Sequence, residues 1–326
     1  MDALPKERKL IVSQQLQSNL VITILPGGWR RLQIMGDLRS LLNERQILIA
    51  DGATGTMLQM LGLRGARCPE EWNLNRPDVV AQIPRAYMEA GSDIVYTNTF
   101  GGNRFRLSKA GLAGLIKEVN ISGARIAKDA VSDSIVVAGS MGPTGDFLEP
   151  LGSLKPEEVS SAYAEQALLL LEGGVDALVL ETFAALDELL AAIRGVRSVT
   201  DAPLIVTMSF DRGTHTMMGV SPNEFVKAVS ELPVDAFGFN CGAGLESALQ
   251  VAELMASYAP HGAVLIAKPN GGKPQVIGEE VVWDATPEQM AEVSLRLAGI
   301  GFRIIGGCCG TTPEHIRAIA NALRKQ

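Results

Sequence analysis

From about residue 47 to the end of the chain, short apolar runs alternate with amphipathic stretches. The runs occupy residues 47–50, 94–96, 135–138, 177–180, 204–207, 236–239, 263–266 and 303–305. They are rich in Val and Ile and are bounded by Gly, Pro, Asp and Asn, as strands buried on both faces are. The segments between them repeat apolar residues at helical spacing, clearest over 79–90, 156–171, 186–196 and 286–297. Ser221-Pro222, Thr286-Pro287-Glu288 and Thr312-Pro313-Glu314 are helix starts, with a capping hydroxyl ahead of a Pro. Eight strands with eight crossovers predict an α/β fold, a single-domain (β/α)8 TIM barrel. An open doubly wound sheet is the competing arrangement.

A barrel places its active site at the C-terminal ends of its strands. The residues following the runs are polar or glycine: Asp51-Gly52-Ala53-Thr54-Gly55-Thr56, Thr97-Asn98-Thr99-Phe100, Gly139-Ser140-Met141-Gly142-Pro143-Thr144-Gly145, Glu181-Thr182-Phe183, Asn240-Cys241-Gly242, Lys268-Pro269-Asn270 and Gly306-Gly307-Cys308-Cys309-Gly310.

Residues 1–34 lie outside this pattern. They show no sustained period and carry five basic against two acidic residues in a chain of net charge −7. Gly36 to Leu42 then reads as a short first helix. Codons for Trp29-Arg30-Arg31 can spell a ribosome-binding sequence just ahead of Met35. Residues 1–34 are therefore expected to be a loosely ordered leader, or to precede the native start at Met35, with the barrel over 35–326.

Composition narrows the function. A chain 47% hydrophobic and 20% charged is a globular one. Its acidity and lack of a basic stripe argue against nucleic acid as a partner. No apolar run approaches the roughly 20 residues of a membrane span, so no membrane partner is expected. Without a convincing signal peptide, the protein is expected in the cytoplasm with reduced thiols, where cysteines point to metal binding or catalysis.

Three of the four cysteines sit at strand ends: Cys241 after the sixth run, Cys308 and Cys309 after the eighth. Only one strand separates those two, so three thiolates can converge on one ion and leave a fourth position vacant, the pattern of a catalytic zinc site. The adjacent pair can share a metal only where the backbone turns, and Gly306, Gly307 and Gly310 allow a turn. Spacing alone leaves other readings open: buried small hydrophobes, a vicinal disulfide, or an iron–sulfur site that would need Cys68 as fourth ligand. Cys68 lies in a long loop and reads as a bystander. Lys268 is the one basic residue at a strand end, and nothing in the sequence orients it.

Taken together, Asp51 to Thr56, Thr97 to Phe100, Gly142 to Gly145, Glu181-Thr182-Phe183, Asn240-Cys241 and Gly306 to Thr311 resemble the homocysteine S-methyltransferase family, from about Met35 to the C-terminus. Asn98 to Arg104 and Asn73 to Val80 look closer to the homocysteine module of cobalamin-dependent methionine synthase than to betaine–homocysteine methyltransferase. The resemblance implies a barrel, a methyltransferase, homocysteine as substrate, and a catalytic Zn2+ bound by Cys241, Cys308 and Cys309. No further catalytic residue is then needed, because a coordinating metal deprotonates a thiol outright.

Glu181 and Asp51 are the expected partners of the substrate ammonium. Backbone N–H groups around Gly52 to Gly55 are expected to hold the carboxylate, with Thr54, Asn98 and Thr99 assisting. Asn270 is the candidate for a displaceable oxygen at the fourth zinc position. Folate and corrinoid modules do not fit in the remaining length. Methylcobalamin is therefore expected only through a corrinoid partner protein, with S-methylmethionine, S-adenosylmethionine or betaine as alternative donors. Residues 61–75 and 145–155 would form the rim. A zinc-binding barrel without catalysis is the reading from another class.

Overall fold

The computed structural model describes residues 20–24, 30–34, 37–65, 68–277 and 280–325. Eight parallel strands form one sheet: β1 (Leu48–Ile49), β2 (Ile94–Tyr96), β3 (Val136–Met141), β4 (Ala177–Phe183), β5 (Leu204–Met208), β6 (Ala236–Cys241), β7 (Leu265–Pro269) and β8 (Phe302–Ile305). Strands consecutive from β2 to β8 are neighbours, β8 pairs with β1, and a bridge between Ala50 and Ile94 brings β1 back to β2. The sheet is therefore a barrel and not an open doubly wound layer.

The two-residue period of the strands sorts their side chains into two cores. Leu48, Ile94, Val136, Val179, Ile205, Ile266 and Ile304 pack together inside the barrel. Their neighbours Ile49, Val95, Val137, Leu178, Val206, Leu265 and Ile305 pack in the outer core that includes helix residues. The first helix (Asp37–Glu44) contributes Leu38 and Leu42 to the inner cluster, where they lie with the strand starts and stopper the N-terminal end. Arg303, from β8, fixes that helix by donating to the carbonyls of Leu42 and Arg45. A closed bottom leaves the opposite end for a ligand.

Helix boundaries follow local chemistry. Ser221, Thr286 and Thr312 each form a capping box with the residue at the third helical position and precede a Pro. The helix expected over 79–90 is divided into Pro77–Val80 and Gln82–Ala90. Pro84 has no N–H to donate to the Val80 carbonyl, so the ladder cannot run through unbroken.

Two antiparallel hairpins lie outside the predicted pattern. Leu20–Ile24 pairs with Arg30–Ile34, so the expected leader contains paired strands. Its β-branched run, Leu-Val-Ile-Thr-Ile, favours that state; the remaining leader residues lie outside the described ones. Pro274–Ile277 pairs with Glu280–Trp283 beyond β7, in a segment that is not among the predicted runs.

Candidate metal centre and active site

Beyond the inner apolar layer, the strands turn polar in the same register. Ser140, Glu181, Thr207, Lys268 and Cys308 each stand an even number of residues beyond an inward apolar residue of their own strand. Their side chains therefore gather over the barrel axis.

Three segments bring the thiols together. Cys241 closes β6 in a left-handed backbone conformation (φ 61°) that non-glycine residues rarely adopt. After β8 the chain stays fastened to both neighbours: Gly306 and Cys308 donate N–H groups to Ala267 and Pro269, and Gly307 donates to Asp51. There is no room for a side chain at Gly306, where a Cβ would lie 2.7 Å from the carbonyl oxygens of Ala50 and Asp51. Gly310 follows at φ 79°, with the Trp283 ring against the place of its missing Cβ. Gly310→Ala is expected to destabilise the fold by about 1–3 kcal/mol, the cost of a strained left-handed residue, and to displace the adjacent cysteines. A thermal melt together with zinc analysis reads both effects.

Cys241 Sγ lies 3.4 Å from Cys308 Sγ and 3.6 Å from Cys309 Sγ. Zinc–sulfur bonds of about 2.3 Å put tetrahedral sulfurs roughly 3.8 Å apart, so the three atoms already stand near the spacing of a shared ion. Their protonation states agree. Hydrogen bonds from Cys241 and Cys309 hold Cys308 well below the usual thiol range, helped by Lys268 and Asn240. Hydrogen bonding to Cys308 and Cys309 in turn pushes Cys241 up. Three thiolates side by side would repel one another, and a shared cation would offset that repulsion. Asn240 holds the group from below: its Nδ2 lies 2.7 Å from Thr182 Oγ1 and 3.5 Å from Cys308 Sγ, and its Oδ1 accepts from Thr207 and the Thr182 N–H.

These sulfurs line a cavity of about 310 Å³ at the strand ends. Glu181 lines it too, accepting a hydrogen bond from Ser140 Oγ. Burial pushes the Glu181 carboxyl up to about 7, with the charge of Lys268 pulling against that shift. Gly52, Thr54 and Asn98 also line the cavity. Asn98 donates to Pro69 O and Asn73 Oδ1, which fastens the loop carrying Cys68 and Glu70 over the opening. Cys68 therefore borders the cavity but stands outside the metal-sized group, which among the described residues is Cys241, Cys308 and Cys309 alone. Its thiol donates to Glu70, and burial pushes it up to about 12.

Three expected contacts are placed differently. Asp51 does not line the cavity; its carboxylate accepts from Lys268 Nζ at 2.5 Å and from the Tyr96 N–H at 2.6 Å. It is thereby neutralised and cannot act as a free anion for an ammonium. Thr99 is fully buried between strands, its hydroxyl bonded to Thr97 Oγ1 and the Ser140 carbonyl. Asn270 lies outside the lining, with Nδ2 donating to Gly242 O and a buried Oδ1 that has no protein partner. Conversely, Lys268 is firmly oriented, and Ser140 and Asn240 join the site. The inward register was their signal in the sequence; the Lys268–Asp51 contact, across 217 residues, had none.

A barrel with this thiol triad at its mouth matches a known class. The homocysteine S-methyltransferase family model covers residues 48–323. The chain belongs to the homocysteine S-methyltransferase family, a family of methyltransferases. It is 35% identical to the methionine synthases of Mycobacterium leprae and Mycobacterium tuberculosis over 311 and 307 residues, which is 89% and 88% of this chain. It spans only 25% of the length of each. Among solved structures, the metallated form of the homocysteine methyltransferase MmuM from Escherichia coli superposes with a TM-score of 0.73 at 23% identity, over 87% of this chain and 99% of that one. A methyltransferase from Methanosarcina mazei gives 0.53 at 12% identity, over 86% and 94%. Both likenesses are of fold.

Proposed function

We propose that this barrel transfers a methyl group to the thiol of homocysteine, giving methionine, with Cys241, Cys308 and Cys309 holding one zinc ion. The observation that carries this reading is the convergence of three thiols, all within 4.8 Å of one another, on the same cavity wall as Glu181. When bound, such a zinc keeps an incoming thiol ionised at neutral pH. The unpartnered Oδ1 of Asn270 remains the candidate for a displaceable oxygen near that ion.

The chain's own groups then position the substrate. Glu181, oriented by Ser140, receives the ammonium. The backbone from Gly52 to Gly55 faces the carboxylate. Asn98 acts indirectly, by holding the Pro69–Glu71 turn over the opening. Asp51 also acts indirectly, through Lys268. A zinc-storing barrel without catalysis would leave Ser140, Glu181 and Lys268 without a task.

The methyl donor in this reading is a methylated corrinoid carried by a protein module. Similarity to methionine synthases supports it, as does the rim. Met60 follows β1, Phe147 and Leu151 follow β3, and Met217 and Met218 follow β5; all five are exposed. Exposed apolar side chains in the segments after three strands at this end are what a docked protein module would cover. Residues 145–155 carry two of these side chains, Phe147 and Leu151, while Cys68 to Glu70 border the cavity itself.

Incubation of the zinc-loaded protein and homocysteine with methylcobalamin, a methyl-corrinoid protein, S-methylmethionine, S-adenosylmethionine or betaine separates the donors. Methionine is expected from the corrinoids. Rapid methionine formation from a small donor, with none from either corrinoid, contradicts the donor assignment. Among the described residues no helix is long and apolar enough to cross a membrane.

A further inference from the structure

Lys268 is a buried cation with an open side. Its side chain is 3% exposed and spans the barrel from β7 to Asp51, just beyond β1. The ammonium sits 3.5 Å from the centre of the Tyr96 ring. One N–H is used by Asp51 and one faces the ring, which leaves a third. Lys268 and Tyr96 both line the cavity. The Tyr96 hydroxyl is buried and has no hydrogen-bond partner in the protein. Leaving such a donor unpaired costs stability. A spare ammonium donor on the cavity wall, over a ring whose own buried hydroxyl lacks an acceptor, defines a place for an anion.

The location narrows which anion. Asp51, which holds Lys268, is followed directly by Gly52, Ala53, Thr54 and Gly55, all of which line the cavity. Lys268 therefore brings its charge beneath the backbone expected to face the substrate carboxylate. Glu181, the acceptor for an ammonium, comes from β4 and lies near enough to feel the Lys268 charge, as the two ends of one α-amino acid require. Asp51 supplies the counter-charge to Lys268 in this dry position.

We infer that Lys268, positioned by Asp51 and joined by the Tyr96 hydroxyl, binds the α-carboxylate of the amino-acid substrate and makes the site selective for a zwitterionic thiol. This rests on the proposed function and adds a specificity determinant to it. Recognition then has three points: the cysteines for sulfur, Glu181 for the ammonium, and the Lys268–Tyr96 pair with the Gly52–Gly55 backbone for the carboxylate.

Calorimetric titration of the zinc-loaded protein with L-homocysteine and with 3-mercaptopropylamine, the same thiol without its carboxylate, tests the assignment under reducing conditions. The wild type is expected to prefer homocysteine by about tenfold to a hundredfold, the scale of one charged hydrogen bond. Lys268→Met should remove most of that preference, read as the ratio of the two affinities so that the effect of the lost charge on Glu181 is common to both thiols; Tyr96→Phe should remove a smaller part. Because Lys268→Met leaves Asp51 unpaired, the double variant Asp51→Asn/Lys268→Met, with both charges removed, is measured alongside. It too should bind both thiols alike. Equal binding of the two thiols by wild type, or a preference surviving in the folded double variant, overturns the carboxylate assignment and leaves the zinc reading standing. Failure of the wild type to bind either thiol overturns both.

Discussion

Cys308→Ala is expected to lose its zinc and, with it, at least roughly a thousandfold in methyl transfer. Cys308 is one of the three thiols, 3.4 Å from Cys241 Sγ and held by Asn240. Removing it leaves two thiols, which cannot complete a three-sulfur site. Even disturbing residues behind metal ligands costs about 10–100-fold in affinity, so loss of a ligand should cost more. The kinetic consequence has two parts. A free thiol with a pKa near 8.5 is only a few per cent ionised at neutral pH. An unanchored thiol also forfeits the advantage of fixed orientation, which reaches an effective molarity of about 10⁵ M or more. The barrel should survive, because Cys308 lies beyond the last residue of β8 and adds nothing to either apolar core. Metal analysis, circular dichroism and turnover on one preparation decide the matter. A folded variant with full zinc and retained activity is incompatible with the assignment.

The second large effect concerns Glu181 and pH. Glu181→Gln should weaken homocysteine binding by about 1–3 kcal/mol, the usual cost of removing one partner of a charged hydrogen bond, without loss of zinc. Burial pushes the Glu181 carboxyl up to about 7 in the free protein, so below that pH it carries a proton that an arriving ammonium must expel. The thiol sheds its own proton on binding. About two protons should therefore leave per homocysteine bound below about pH 7, and about one between there and the thiol pKa near 8.5. Affinity thus falls steeply as pH drops below 7 and more gently above it. In Glu181→Gln the steep region should vanish, leaving about one proton throughout. Binding titrations across pH read these slopes directly. A variant with wild-type affinity and an unchanged steep region would show that the ammonium is bound elsewhere.

The architecture was largely written in the alternation of apolar runs, and all eight predicted runs contain a strand. Their polar ends were harder to read, since the strands continue into them: β6 runs on through Asn240 to Cys241, and β4 through Glu181 to Phe183. The two-residue period carried more information than the residue following each run. Glu181 and Cys308 are in step with the inward residues Val179 and Ile304, and so are Ser140, Thr207 and Lys268. Asp51 is out of step with Leu48 and Ala50. The order of the strands made convergence of the three cysteines visible, because β6, β7 and β8 are consecutive neighbours. Contacts across the barrel had no such signal. Nothing local joins Lys268 to Asp51 and Tyr96, and nothing near Asn98 announces that its amide reaches Pro69 and Asn73. The two hairpins escaped because pairing partners, and not periodicity, make those segments strands.

In the proposed reaction, homocysteine sulfur completes a site begun by Cys241, Cys308 and Cys309. Zinc K-edge X-ray absorption, recorded on the purified zinc-loaded protein with and without homocysteine, tests it most directly. Three sulfur scatterers at about 2.3 Å with one lighter ligand, changing to four sulfurs when homocysteine is added, is the predicted result. A shell with fewer than three sulfurs, or one that homocysteine leaves unchanged, would contradict it.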